Sequence, residues 1–175
     1  DLVNEPGNVI NPAGLAERAS AMAGECGLEC SIFDEEKMRE MGMNGILSVG
    51  AGSHNAPRLI HLVYRPSGPS RERIAFVGKG LTFDSGGLNI KPGDYMRSMK
   101  GDKTGACNVL ALMKAVAESK PDLEIHGFAG AAEIFPDALL VNPFDTDETA
   151  EALRIALDMP LAERIERWHA LMVAA

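Results

Sequence analysis

The 175 residues are 46% hydrophobic and 24% charged, which is enough apolar material for one buried core and argues against intrinsic disorder. A net charge of -8 argues against a protein that works by neutralising phosphate backbones, so nucleic acid is not an expected partner. The sequence has no apolar run of about 18 residues and no charged-then-apolar leader, so nothing in it indicates a membrane protein.

The three cysteines are sparse and odd in number, which is unsuited to a disulfide framework. Cys26 and Cys30 are four positions apart, but no second Cys or His pair completes a zinc site with them. Free thiols of this kind suit a reducing compartment. We therefore expect a cytoplasmic protein.

The first part of the chain predicts a helix, a strand and a second helix. Asn11 followed by Pro12 is typical of a helix start, and the apolar face that follows predicts a helix to about Gly24. The apolar stretch 28–33 predicts a strand. Asp34 and the two glutamates after it then predict a capped helix that ends near residue 42.

Two apolar runs rich in β-forming residues, 58–64 and 74–77, predict strands that are neighbours in a sheet. A helix of period 3.6 and a further strand at 123–128 follow. Alternating strands and helices predict an α/β fold, a three-layer sandwich with a mixed, mostly parallel sheet covered by helices. We expect residues 1–175 to form a single α/β domain. The final part predicts a short strand at 138–141 and two amphipathic helices.

Carboxylates and lysines surround a Gly-rich turn in VGKGLTFDSGGLNIKPGDYMRSMKGDKTGA, residues 77–106. Asp84 and Asp102 could hold hard or borderline divalent cations through oxygen. Strand ends that face a crevice are where α/β proteins place their sites. Four glycines would let the backbone approach an ion or substrate closely, namely Gly78, Gly80, Gly86 and Gly87.

Other interpretations of this stretch remain open. A Gly-rich turn after a strand can bind phosphate, although neither GxxxxGK[ST] nor GxGxxG fits the sequence. Asp102 could instead cap the helix that follows it. Lys79 and Lys91 could be ordinary exposed side chains.

Residues 1–133 closely resemble the leucyl aminopeptidase family of cytosolic two-zinc exopeptidases. The resemblance lies in the opening LVNEPGNVINP, the stretches SVGAGS and PRLIHLVY, the signature VGKGLTFDSGG, and MKGDKTGA. It implies a metal-dependent hydrolase that acts on the N-terminus of peptides, with zinc or manganese as the metal. Because that family forms hexamers, a homo-oligomer is also open.

The resemblance implies a role for each matching residue. Asp84 would bridge two metals, and Lys79 and Asp102 would complete one of the two metal positions. Lys91 would be the catalytic cation that polarises the scissile carbonyl and stabilises the oxyanion. Met99 would line the pocket for the first side chain of the substrate.

The remaining ligands of that family come from a later NTDAEGR-like strand end, which this sequence lacks. The nearest imitation is NPFDTDET, residues 142–149. Its carboxylates, on Asp145, Asp147 and Glu148, are better explained as helix caps. We expect weak metal binding at most.

Residues 128–175 resemble the C-terminal end of trehalose-6-phosphate synthase, a glycosyltransferase, through FAGAAE, ALLVNPFD and MPLAERIERW. The expected chain is therefore a chimera joined near residues 127–133. Its start at Asp1, without an initiator Met, suggests a fragment or an engineered chain. The leading hypothesis is an aminopeptidase-like domain with an incomplete site and little or no activity. The alternatives are an active metal-dependent aminopeptidase and a non-enzymatic engineered scaffold.

Overall fold

The computed structural model describes residues 1–70, 72–85 and 91–130, together with 160, 162 and 163. The elements within them are, in chain order, α1 (Pro12–Cys26), β1 (Glu29–Phe33), α2 (Glu35–Glu40), α3 (Asn44–Gly50), β2 (Leu59–Tyr64), β3 (Arg73–Gly78), α4 (Gly93–Ser98), a 3₁₀ turn (Met99–Lys103), α5 (Thr104–Ser119) and β4 (Glu124–Ala129). No helix among the described residues is both long and apolar enough to cross a membrane. The strand predicted at 138–141, the helix after it and most of the last helix lie outside the described residues.

Helix α1 begins at the cap that the sequence predicts. The Asn11 side chain accepts a hydrogen bond from the backbone N–H of Gly14 at 2.9 Å, and Pro12 takes the first helical position. This bond satisfies one of the amide groups that a helix start leaves without an intrahelical partner. The helix runs slightly further than expected, to Cys26, and ends at Gly27 in the left-handed conformation, with φ 69°.

Helix α2 also begins as predicted, whereas α3 was not predicted. The Asp34 side chain accepts from the backbone N–H of Lys37 at 2.9 Å, which caps α2. Helix α3 starts after Met43 with no side-chain capping bond, and Ile46 is its only buried residue. Because α3 carries neither a cap nor a full apolar stripe, its local sequence gives no helix signal.

The four strands form one mixed sheet in the order β1-β2-β4-β3. Strands β3 and β4 are parallel, while β2 runs antiparallel to both β4 and β1. The mixed sheet of an α/β fold is therefore confirmed, with antiparallel pairing the more frequent kind among the described strands.

The prediction that β2 and β3 are neighbours is wrong, because β4 lies between them. All residues of β4 are buried, whereas β3 has one buried residue, Gly78. A strand that is covered on both faces and paired at both edges takes the centre of a sheet. The two runs follow each other closely in the sequence, which favoured direct pairing, and the pairing of each with β4 could not be seen from either run.

Helices cover both faces of the sheet, as a three-layer sandwich requires. One face packs against α1 and α5 in a cluster that includes Leu15, Ala19, Ile60, Met113 and Ile125. The opposite face carries a smaller cluster in which Leu59 packs with Met38, Met43 and Ile46 of the α2 and α3 region. Leu59 and Ile60 are consecutive in β2, so their side chains point to opposite faces.

Candidate active site

The end of β3 lies directly against the start of α5. A side chain at Gly78 would overlap the carbonyl oxygen of Gly105, and a Cβ at Gly105 would lie 2.7 Å from the backbone nitrogen of Lys79. The backbone N–H of Ala106 donates to the carbonyl oxygen of Lys79 at 2.8 Å. This close approach depends on the two glycines, and it brings Lys79 beside the 3₁₀ turn that carries Asp102.

Lys79 and Asp102 form the first of two lysine–carboxylate pairs. Lys79 Nζ lies 3.0 Å from Asp102 Oδ1, and the Asp102 side chain is 20% exposed. The second carboxylate oxygen, Asp102 Oδ2, is buried and has no hydrogen-bond partner among the described residues. An unsatisfied buried carboxylate oxygen is costly, so this atom requires a further partner.

The alternative that Asp102 caps the following helix is wrong. Helix α5 begins at Thr104, its N-cap is Lys103, and it has no side-chain capping bond. The oxygen of Asp102 that has a partner faces Lys79 instead.

Lys91 and Asp84 form the second pair. Lys91 Nζ donates to Asp84 Oδ2 at 2.7 Å and contacts the thioether sulfur of Met99 at 3.1 Å. The backbone N–H of Lys91 also donates to the carbonyl oxygen of Ser85 at 3.1 Å, which holds the lysine beside the strand end. Three of the predicted site residues are thus in direct contact.

Both site lysines are partly exposed and paired. The exposed fraction is 45% for the side chain of Lys79 and 30% for that of Lys91. Lys79 is thus an exposed side chain, as that interpretation expects, whereas Lys91 is half-buried, and each is paired with a carboxylate. The carboxylates of Asp145, Asp147 and Glu148 and the glycines at 86 and 87 lie outside the described residues. Within those residues, no three His, Cys, Asp or Glu side chains come together as a metal cluster.

A fully buried lysine next to Asp102 was missed from the sequence. Lys103 is 0% exposed, and its Nζ donates to the carbonyl oxygens of Glu5 at 2.7 Å and of Lys100 at 2.6 Å. Burial lowers the pKa of Lys103. Its position shares a helical face with Ala106, Leu110 and Met113, all buried. This helical spacing could have indicated from the sequence that Lys103 is buried, because a lysine in line with apolar residues is unusual.

A second polar cluster lies on the face of the sheet opposite α1 and α5. Glu124 accepts from Arg65 Nη1 at 2.9 Å and from Arg73 Nε at 3.2 Å. Its Oε1 lies 2.9 Å from His126 Nε2, and His126 Nδ1 lies 2.8 Å from His61 Nε2. A buried carboxylate, two imidazoles and two guanidinium groups therefore form one connected network.

The network shifts the pKa values of two members. Burial, followed by the neighbouring His126, lowers the pKa of His61 from 6.5 to about 4. Burial alone would raise the pKa of Glu124, but the hydrogen bond with His126 and the charges of Arg73 and Arg65 outweigh it and lower that pKa. His61 is therefore neutral and Glu124 ionised near neutral pH.

Comparison with protein families gives a match along most of the chain. The model described as "Cytosol aminopeptidase family, catalytic domain" matches residues 1–156. A probable cytosol aminopeptidase of Aquifex aeolicus is 58% identical over 163 residues, 93% of this chain and 33% of that protein. One from Persephonella marina is 53% identical over the same shares of the two chains. The chain thus spans about a third of the length of these relatives.

Solved structures agree with this match. The apo structure of leucyl aminopeptidase from Trypanosoma cruzi has a TM-score of 0.70 and 38% identity, over 74% of this chain and 26% of that one. The bottromycin maturation enzyme BotP, in complex with Mn, has a TM-score of 0.68 and 37% identity, over 73% of this chain and 28% of that one.

The comparisons do not support a chimera. The family match continues to residue 156, beyond the join predicted near residues 127–133 and beyond the predicted end of the aminopeptidase-like part at 133. The Aquifex aeolicus alignment likewise covers 93% of the chain. A trehalose-6-phosphate synthase segment therefore has no support, and the join predicted in GFAGAAE, residues 127–133, lies inside the family match. The chain belongs to the cytosol aminopeptidase family.

Proposed function

We propose that this chain supplies one side of the site of an active metal-dependent aminopeptidase, with Asp84, Asp102 and Lys79 as metal ligands. The observation that carries the proposal is the buried Asp102 Oδ2, which has no hydrogen-bond partner among the described residues. A divalent cation would satisfy this oxygen, and carboxylates are suitable ligands for both zinc and manganese. The proposal favours an active aminopeptidase over an inactive chimera. Its support is that two relatives, each named a probable cytosol aminopeptidase, align with 93% of this chain.

The donor set fits a cation at the end of β3. Asp102 already lies beside Lys79, and the nitrogen of Lys79 would have to lose its proton to act as a ligand. The chemistry that a bound divalent cation supplies is activation of a water molecule near neutral pH. Manganese is one candidate because the related enzyme BotP is in complex with Mn, and zinc is the other.

Lys91 is suited to act on the peptide carbonyl. Its ammonium group is held between Asp84 and the sulfur of Met99, and the side chain is 30% exposed, so it is both oriented and reachable. A fixed cation of this kind stabilises the negative charge that develops on a carbonyl oxygen under attack. Met99 would offer the N-terminal side chain of the peptide an apolar, adaptable contact.

An Asp102→Asn variant tests the metal site, because it keeps the shape of the side chain and removes its charge. Calorimetric titration with Mn²⁺ and with Zn²⁺ should show a loss of affinity of at least about tenfold, since even outer-shell changes at metal sites cost that much. Hydrolysis of leucine amide should fall in parallel. Asp122→Asn, at an exposed position before β4, is the matched control and should leave the affinity unchanged. Equal affinity of the wild type and Asp102→Asn would contradict the proposal.

A further inference from the structure

Two lysines of the 3₁₀ turn hold the N-terminal segment, residues 4–7, through its backbone. Lys100 Nζ donates to the carbonyl oxygen of Asn4 at 3.0 Å, and Lys103 Nζ donates to that of Glu5 at 2.7 Å. The two donors come from positions about a hundred residues later in the chain. The N-terminal segment is thus fixed to the turn that carries Asp102.

The same segment also contacts the other stretch that carries a proposed ligand. A Cβ placed on Gly7 would lie 2.9 Å from the Cβ of Phe83, so the two backbones pack directly against each other. Phe83 immediately precedes Asp84. The segment therefore bridges the Asp84 stretch and the Asp102 turn, which are otherwise separated in sequence by α4.

The burial of Lys103 is difficult to explain by stability alone. Its side chain is fully buried, and among the described residues its ammonium group forms hydrogen bonds with carbonyl oxygens and no salt bridge. Removing an ammonium group from water is costly, and a methionine of similar length would fill the same space without that cost. Unlike a methionine, the ammonium group forms directional hydrogen bonds. They fix two carbonyl groups, one in the N-terminal segment and one in the 3₁₀ turn.

We propose that Lys103 is a positioning residue, which holds the N-terminal segment against the Asp102 turn and so fixes the spacing of the Asp84 and Asp102 carboxylates. The inference rests on the proposed function, since those carboxylates are its proposed metal ligands. Lys103 is not one of the proposed ligands, and it would act through the backbone carbonyl groups of Glu5 and Lys100, to which its ammonium group donates.

Lys103→Met tests this role with the metal alone as the probe. We expect the Mn²⁺ dissociation constant to rise about tenfold, the effect usual for groups that orient metal ligands. The electron paramagnetic resonance spectrum of bound Mn²⁺ should also change, because the spacing of its ligands changes. The control is Lys114→Met, an exposed lysine of α5, which should alter neither quantity.

Amide hydrogen exchange of Val9 and Ile10 provides a readout without metal. Both N–H groups donate to the carbonyl oxygen of Pro6 at 2.9 Å, so their protection reports the order of the N-terminal segment. Lys103→Met should speed their exchange several-fold while the amides of β4 stay protected. Lys100→Met changes an exposed side chain, so this variant should fold even if Lys103→Met does not. Because Lys100 holds the carbonyl oxygen of Asn4, the variant should also weaken Mn²⁺ binding and speed the exchange of Val9 and Ile10, by smaller factors than Lys103→Met.

The outcomes separate this inference from the proposed function. If the lysine variants match the wild type in Mn²⁺ affinity or in Val9 and Ile10 exchange while Asp102→Asn loses affinity, the positioning role is refuted and the metal site stands. If Asp102→Asn binds Mn²⁺ as the wild type does, the metal site itself is refuted. Weaker binding, an altered spectrum and faster exchange in both lysine variants together support the positioning role.

Discussion

At the scale of single residues, His61 lies against His126 in a contact that disfavours a charge on His61. Their ring nitrogens lie 2.8 Å apart and the rings are stacked at 5.1 Å, so one proton is shared between them and two protons would place like charges in contact. The ring of Phe128 also stacks on that of His61, with the ring centroids 4.3 Å apart, and an apolar ring offers His61 no hydrogen bond. The folded protein therefore disfavours protonation of His61.

The free energy of unfolding should consequently fall as the pH is lowered from about 6.5 to about 4, the ordinary and folded-state pKa values of His61. In this range the unfolded chain takes up a proton that the folded chain does not, so acid favours unfolding. A His61→Asn variant should lose less of its melting temperature than the wild type between neutral pH and about pH 5. His54→Asn, at an exposed position, is the control. The same pH slope in His61→Asn and wild type would show that another group is responsible.

The lowered pKa of Glu124 acts in a separate range. Its ionised form is favoured by the folded state, so its contribution is present above its ordinary value of 4.5 and is lost as the pH falls below it. Measurements at about pH 5 therefore report mainly on His61. This separation makes the histidine test interpretable.

The candidate site residues were identifiable from the sequence by type and motif, but their partners were not. Asp84, Asp102, Lys79, Lys91 and Met99 were all singled out, yet nothing local shows that Lys91 contacts Met99 or that Lys79 contacts Asp102. Those contacts depend on how the end of β3 meets α5. Lys103 was missed because a lysine is read as a surface residue unless its helical face is considered.

At the scale of elements, the packing of β3 against α5 creates the site. The backbones meet at Gly78 and Gly105, and the carbonyl oxygen of Lys79 accepts from the first turn of α5. Any side chain at this contact would separate the strand from the helix. The spacing between Lys79 and Asp102 therefore depends on both glycines.

Gly105→Ala should destabilise the protein by about 1–3 kcal/mol, as overpacking usually does, because the new Cβ would lie 2.7 Å from a backbone nitrogen that cannot move aside. Denaturant titration measures the change. Gly24→Ala is a matched control in α1, where a Cβ has nothing within 4 Å, and it should stabilise by up to about 1 kcal/mol through helix propensity. A neutral Gly105→Ala would show that strand and helix are not in obligatory contact.

Elements with local signals were predicted well, and those fixed by distant partners were not. Helices α1 and α2 begin at side-chain caps that stand in the sequence beside them. The position of β4 between β2 and β3 is a matter of pairing across the fold, which no stretch of β2 or β3 encodes. Helix α3 has no cap and was missed for that reason.

At the scale of the whole molecule, the family match covers far more of this chain than of its relatives. It extends to residue 156, whereas the alignment with the Aquifex aeolicus protein covers 33% of that protein's length. The prediction of a foreign C-terminal segment rested on three short motifs in residues 128–175 and on the missing NTDAEGR-like strand end, and the family match to residue 156 does not support it. The alternative that the chain is a non-enzymatic engineered scaffold can be tested by measuring how metal ions affect its stability.

Metal binding should stabilise the entire fold. A cation that binds only the folded state, at about 100 times its dissociation constant, adds about 2.7 kcal/mol to the free energy of unfolding. The melting temperature should therefore rise with Mn²⁺ and return to its starting value with EDTA, and Asp102→Asn should reduce the rise at the same Mn²⁺ concentration. A non-enzymatic scaffold would melt at one temperature under all these conditions.

The central position of β4 also determines when the sheet can form. Strand β4 is the last of the described strands to be synthesised, yet it holds β3 on one side and the β1–β2 pair on the other. Until Glu124–Ala129 has left the ribosome, β3 has no neighbour among the described strands, and it cannot join the β1–β2 pair. Such non-local pairing closes large loops and slows folding, so the nascent chain exposes unpaired strand edges until β4 arrives.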